Sequence, residues 1–223
     1  MKLLAIETST DLCSVALWRD GEIDAREVVA GQRNSELLLP LIDELLAAHA
    51  LKAAGLDGVA FGAGPGSFTG LRIACGVAQG IAFGAGVPVV GIGTLLALAE
   101  LSRAERVVCC LDARIGEIYH AAYEKWPGSW HAVLEPSLCK PDAAPELPAG
   151  VWVGCGSGFS AYDAALKSRY YGSVSHVIPG LMPHAREIAA LAADEFKSGK
   201  AVVAEHAAPL YVRNKVALRV DER

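Results

Sequence analysis

The chain has 223 residues, of which 20 are basic and 25 acidic, giving a formal charge of −5, and 52% are hydrophobic. That length supports one large domain or two small ones with a buried core, and the hydrophobic content excludes an intrinsically disordered chain. The negative charge supplies no overall electrostatic footprint for binding nucleic acid.

In chain order, Leu3–Ile6 is an apolar run closed by Glu7 and Thr8. Ser14–Trp18 alternates, Asp20-Gly21 is a hairpin turn signal, and Glu22–Val29 continues as a strand. Ser35 stands as the cap of a helix with apolar residues at Leu37, Leu38, Leu41, Ile42, Leu45 and Leu46, and Pro40 bends this helix without ending it. Gly58–Gly62 reads as a short buried strand, Ser67–Gly84 as a helix, Val87–Ile92 as a strand and Thr94–Arg103 as a helix. The start MKLLAIE places Glu7 where a signal peptide continues its apolar run, so no export signal is expected. Phe68–Val90 carries Arg72, Gln79 and many glycines, which argues against a membrane span. The cysteines at Cys13, Cys75, Cys109, Cys110, Cys139 and Cys155 form no CxxC pair. They read as small core residues of a protein in a reducing compartment, so the expected location is the cytoplasm.

The pattern then restarts. Val107–Asp112 is an apolar strand ending in an acid, as Leu3–Glu7 does, and Glu117–Tyr123 follows as Ser14–Trp18 did. VGCGSGFS (Val153–Ser160) echoes FGAGPGSF (Phe61–Phe68). Trp126–Gly150 is rich in proline and reads as turns with a poor strand, Met182–Gly199 as a final helix, and Pro209–Ala217 as an extended tail. Two halves with one order of parts predict an internal duplication and a two-lobed α/β protein. The lobes are expected at residues 1–104 and 105–223, divided near Ala104–Arg106, with the final helix and tail able to return to the first lobe.

Residues 59–76, VAFGAGPGSFTGLRIACG, carry the most prominent glycine loop. A P-loop needs a lysine followed by Ser or Thr after its last glycine, yet no lysine lies between Lys52 and Lys125. Pro65 removes an amide donor from any dinucleotide fingerprint. The amides of Gly66–Phe68 remain a candidate anion contact, against a plain strand-to-helix turn. At about 100° per residue, Gly70, Ala74, Ala78 and Ala82 share one face of the following helix, while Gly76, Gly80 and Gly84 form a second small strip. Arg72 and Gln79 share a side with Phe83. So little polar face predicts burial nearly all round. One strip suits the lobe's own sheet. The other needs a cover, from the helix Ser35–His49 or from a second subunit, and periodicity does not choose between them.

A catalytic set is not evident. No two histidines stand at i,i+3 or i,i+4, and there is no EF-hand spacing and no GxSxG elbow. The acids closing the first strand of each half are the remaining candidates. Glu7, with Thr8 and Ser9, would face Asp112 across a cleft, an arrangement suited to Mg²⁺-phosphate chemistry, unless each acid simply accepts turn amides.

IETSTDLCSVALWRDG, GPGSFTGLRIACGVAQGIA, LDARIGEIY and EHAAPLYVRNKVA, in that order, resemble the bacterial TsaB (YeaZ) family of tRNA threonylcarbamoyladenosine biosynthesis proteins. Residues 124–180 match only loosely. The resemblance implies a duplicated two-lobed actin-like ATPase fold, shared with sugar kinases and heat-shock chaperone ATPases. It also implies kinship with TsaD, which carries the metal-dependent threonylcarbamoyl transfer and has an HxxxH pair after the strand equivalent to Val87–Ile92. Thr94 and Leu98 stand there in this chain, and neither ligates iron or zinc.

The resemblance therefore implies a non-catalytic subunit without a metal or a required cofactor, with ATP or ADP at a subunit boundary left open. It implies pairing with a TsaD-like protein, joined by a TsaE-like ATPase, with tRNA reached through the complex. A lone chain would form a homodimer through the same surface. The implied interface is the first two helices, around Ser35–Ala48 and Ser67–Phe83, with Glu36, Pro40, Asp43, Arg72, Ile73, Gly76, Val77 and Gly80. Relatives often carry a histidine where Asn34-Ser35 stands. An older glycoprotease label lacks support, since both a metal pair and a nucleophile elbow are missing. Two rivals stay open: a stand-alone kinase or ATPase of the same fold, and a homodimeric regulator unconnected with tRNA.

Overall fold

Strand β1 (Lys2–Glu7) is buried from Leu3 onward and forms the middle of a five-stranded sheet in the computed structural model, which describes residues 1–212. It pairs antiparallel with β2 (Leu12–Arg19), which pairs antiparallel with β3 (Glu22–Val29). The β2–β3 turn places Asp20 and Gly21 at φ 52° and 100°, the left-handed geometry that a two-residue hairpin requires. On its other side β1 pairs parallel with β4 (Gly58–Gly64), and β4 with β5 (Val89–Gly93). Helices α1 (Asn34–Ala48) and α2 (Phe68–Ala85) precede β4 and β5.

The second sheet repeats this plan. β6 (Arg106–Arg114), β7 (Glu117–Trp126), β8 (Ser129–Cys139), β9 (Trp152–Cys155) and β10 (Val174–Ile178) take the order β10-β9-β6-β7-β8, against β3-β2-β1-β4-β5 in the first. Read from the opposite edge, the two orders coincide strand for strand. The helices of this half are α4 (Ser157–Ala161), α5 (Asp163–Arg169) and α6 (Ala185–Lys197), while α3 (Thr94–Ser102) closes the first half.

Alternation along β1 sends successive side chains to opposite faces. Leu4 and Ile6 meet Leu38, Ile42 and Leu45 of α1 and Ala74, Ala78 and Ala82 of α2. Leu3 and Ala5 meet Ala185, Ile188, Ala189 and Ala192 of α6. The halves interlock, because Leu95, Leu98 and Ala99 of α3 pack with Val107, Cys109 and Leu111 of β6. Val108 and Cys110 of β6 turn the other way, onto Phe159, Leu166 and Tyr170.

Several sequence expectations need correction. Ser35 does not cap α1, which begins at Asn34 with Arg33 as its cap residue and no side-chain cap. The stretch Trp126–Gly150 contains an eleven-residue strand, β8. It lies at the sheet edge, where Pro136 loses no ladder bond that matters. β10 was not anticipated, because exposed Ser175 and His176 interrupt its short apolar run. α6 starts at Ala185, after Pro183, with the His184 ring accepting the Arg186 amide. Of the expected extended tail, Arg213–Ala217 lies outside the described residues, and Pro209–Val212 runs without strand pairing.

Candidate functional site

The glycine loop is shaped by close approach. A Cβ on Gly70 would stand 1.9 Å from the Thr8 carbonyl oxygen, and one on Gly62 would stand 1.9 Å from Oε2 of Glu7. The turn after β1 is pinned to the start of α2. The Thr8 hydroxyl donates to the Gly70 carbonyl at 2.8 Å, the Ser67 amide donates to the Ser9 carbonyl at 2.8 Å, and Ser67 caps the helix by accepting the Gly70 amide at 3.3 Å. Gly64-Pro65 is a cis peptide bond.

Glu7 and Asp112 occupy equivalent places, and each accepts the amide two residues on. The Ser9 amide donates to Glu7 at 2.5 Å and the Arg114 amide to Asp112 at 2.8 Å. The two differ in access. Glu7, Thr8 and Ser9 are buried at 0%, 0% and 2% exposure, with Oε2 of Glu7, the Ser9 hydroxyl and the Thr94 hydroxyl lacking hydrogen-bond partners. Burial pushes the Glu7 carboxyl above its ordinary range, against the opposing hydrogen bond from the Ser9 amide. Asp112 is half-buried, and its carboxylate also accepts Tyr162 OH at 3.0 Å and the Arg114 guanidinium at 3.2 Å.

A cleft of about 990 Å³ opens between the two sheets, lined by Ser9, Asn34, Gly66–Thr69, Asp112, Arg114, Ser157 and Tyr211 among others. Ser9 and Asp112 thus reach one cavity. Glu7 and Thr8 do not line it, which corrects the expectation that both strand-end acids face each other across it. The hydrophobic run before Glu7 makes it a core strand, Gly62 lets that core close over its carboxylate, and Gly70 lets α2 close over Thr8. Among the described residues, no group of three or more His, Cys, Asp or Glu side chains could hold a metal ion. Thr94 and Leu98 are both fully buried.

Helix α2 is not buried all round. Gly70, Ala74, Ala78 and Ala82 lie against the sheet, but Gly76, Gly80 and Gly84 are exposed, and a Cβ on any of them would meet nothing within 4 Å. The neighbouring α1 therefore does not cover the second strip. Ile73 and Val77 are half-buried, Phe83 is 81% exposed, and Leu39 on α1 is 52% exposed. Glu36, Pro40 and Asp43 are exposed on the same side of α1 as Leu39 by their i, i+3, i+4, i+7 spacing. With 18 residues and a mean hydropathy of 1.2, α2 is long and apolar enough to cross a membrane, yet one of its faces is built into the sheet packing.

Sequence reading missed what fixes the N-terminal end of this face. The Arg72 guanidinium stacks 3.7 Å from the Phe68 ring centroid, and its Nε donates to Tyr211 OH at 3.1 Å. The tail holding Tyr211 is tied down by Gln79 donating to the Ala207 carbonyl at 3.0 Å and by the Leu210 amide donating to the Ala63 carbonyl at 2.7 Å. The Phe68–Arg72 pair stands at i, i+4 and is open to a spacing argument, whereas the tail contacts link residues too far apart in sequence to leave a local signal.

Two sheets of matching strand order, acids at equivalent strand ends and a cleft between them define a duplicated two-lobed protein of the actin-like ATPase class. Residues 28–217 match the TsaD family, tRNA N6-adenosine threonylcarbamoyltransferase. The chain is 37% identical to the tRNA threonylcarbamoyladenosine biosynthesis protein TsaB of Escherichia coli, covering 97% of this chain and 96% of that protein. It is 36% identical to the TsaB protein of Haemophilus influenzae, covering 97% and 95%. Solved YeaZ from Pseudomonas aeruginosa superposes with a TM-score of 0.86 at 34% identity, covering 94% of this chain and 99% of that one. A second Pseudomonas aeruginosa structure, described as an uncharacterized protein with similarity to peptidase YEAZ, gives a TM-score of 0.88 at 34% identity, covering 95% and 99%. The chain belongs to the TsaB (YeaZ) family of tRNA threonylcarbamoyladenosine biosynthesis proteins.

Proposed function

We propose that the chain serves tRNA threonylcarbamoyladenosine biosynthesis in the cytoplasm as a non-catalytic subunit that pairs, through α1 and α2, with a TsaD-like protein. A TsaE-like ATPase joins the pair, tRNA is reached through the assembly, and the chain alone self-associates through the same face. The observation that carries this reading is the uncovered strip Gly76–Gly80–Gly84 with exposed Phe83 on α2, and exposed Leu39 on the neighbouring α1, in a chain of this family. Small residues let a second backbone come close, and an exposed apolar patch marks an interaction surface. The non-catalytic role is supported by Thr94 and Leu98, side chains without metal affinity, standing buried where a ligand pair is expected.

The rival kinase or ATPase reading finds no support in the family. Its proposed acids are also spoken for: the Glu7 carboxylate is sealed from the cleft, and that of Asp112 is held by Arg114 and Tyr162. The test of the pairing role is Gly76→Leu or Gly80→Leu, with copurification of the TsaD-like protein as the readout. Loss of copurification by a folded variant is expected, and normal copurification would overturn the interface.

A further inference from the structure

The open face of α1 and α2 carries charge in an asymmetric way. Glu36, Leu39, Pro40 and Asp43 form one exposed stripe along α1. The third acid of this helix, Glu44, is paired with Arg26 of β3 at 3.0 Å, whereas Glu36 and Asp43 have no ion-pair partner among the described residues. On α2 the one cation is Arg72, also without a carboxylate partner among the described residues. Its position is fixed by Phe68 and Tyr211, and its Nε is already engaged. The remaining guanidinium nitrogens are left to bind a planar acceptor, which suits a carboxylate.

This pattern is poorly matched to itself. An isologous pair of chains brings four α1 carboxylates to an interface that offers two arginines. We infer that this surface, if it is the pairing face proposed above, selects its partner by charge, and that the partner is a protein with an apolar, small-residue helix face flanked by lysine or arginine opposite Glu36 and Asp43 and by a carboxylate opposite Arg72. Charge complementarity of this kind sets partner choice and association rate more than it sets total affinity, and like charges placed opposite each other penalise the wrong partner. Self-association then remains the weaker state and yields to the complementary partner.

The test uses the full chain with Glu36→Gln and Asp43→Asn together, which leaves an isologous pair with two arginines and none of its four α1 carboxylates, and measures two constants by sedimentation velocity: pairing with the TsaD-like protein, and self-association of the chain alone. Pairing is expected to weaken at least about tenfold, while self-association stays the same or tightens. Wild-type pairing is expected to weaken as sodium chloride rises from about 0.05 to 0.5 M, and self-association is expected not to weaken. If both constants fall alike, the face is an interface but charge does not select the partner, and the inference is overturned. If neither changes while Gly76→Leu still abolishes pairing, the same conclusion follows. If Gly76→Leu is also silent, the pairing face itself is wrong. Should the neutralised variant fail to fold, the salt titration of the wild type decides the matter, with weakening of pairing alone expected and unchanged pairing overturning the inference.

Discussion

Replacing Gly76 and Gly80 by alanine pulls stability and binding in opposite directions. Both glycines lie inside α2, and a Cβ on either meets nothing within 4 Å. In the isolated chain the change removes a backbone-entropy cost of about 0.8–1 kcal/mol per glycine, so the double variant gains about 1.6–2 kcal/mol. For a chain of this size that raises the melting temperature by roughly 3–8 °C. The melts need dilution until the midpoint no longer depends on concentration, since self-association stabilises by mass action. In the complex the same two methyl groups enter a space reserved for another backbone. Overpacking of about 1–3 kcal/mol weakens pairing with the TsaD-like protein roughly 5- to 150-fold. Thermal melts and isothermal titration read the two effects separately. A variant that is less stable alone, or that pairs as tightly as the wild type, would refute the idea that these glycines are kept for a partner at the expense of the monomer.

Other outcomes follow from the buried side of the same helix and from buried groups elsewhere in the fold. Gly70→Ala puts a methyl 1.9 Å from the Thr8 carbonyl oxygen, so it should destabilise by about 3 kcal/mol or more in urea melts, the reverse of the effect at Gly76. Glu7→Gln keeps an acceptor for the Ser9 amide and removes a buried acid whose folded value is raised above 4.5. The folded wild type holds this proton more tightly than the unfolded chain does, so its stability falls as pH rises from the unfolded value through the folded one. The variant's advantage in melts should therefore widen as pH rises above the ordinary carboxylate range, by up to about 1.4 kcal/mol per pH unit, and a gap independent of pH would contradict a raised Glu7 carboxyl. Tyr170→Phe removes the hydroxyl 2.7 Å from Nε2 of buried His120, and should cost about 1–3 kcal/mol by leaving that nitrogen unpaired.

The parts of the fold that were legible in the sequence are those governed by local pattern. The repeat of an apolar strand ending in an acid, followed by a hairpin and a glycine-led helix, is a period that composition carries, and it appears as two sheets of matching order. β8 and β10 escaped because edge strands tolerate proline and polar residues that a central strand excludes. The two strips of α2 were visible by spacing, but their fates were not, since periodicity says which residues share a face and not whether that face is covered. The glycine loop invited a phosphate reading because glycine serves close approach of any group. Here the group that approaches is the chain's own turn at Thr8 and Ser9. In the Arg72–Phe68–Tyr211 cluster, Phe68 and Arg72 share helical i, i+4 spacing, but Tyr211 lies 139 residues from Arg72, beyond the reach of any local signal.

The central claim is that the open face of α1 and α2 is what the chain contributes to threonylcarbamoyladenosine formation. The most direct measurement depletes the chain from cells, supplies either the wild type or Gly76→Leu/Gly80→Leu, and quantifies the modified nucleoside in digested tRNA. The account predicts that the wild type restores the nucleoside and that the variant, folded as the wild type in solution, does not. Full restoration by the variant would contradict it.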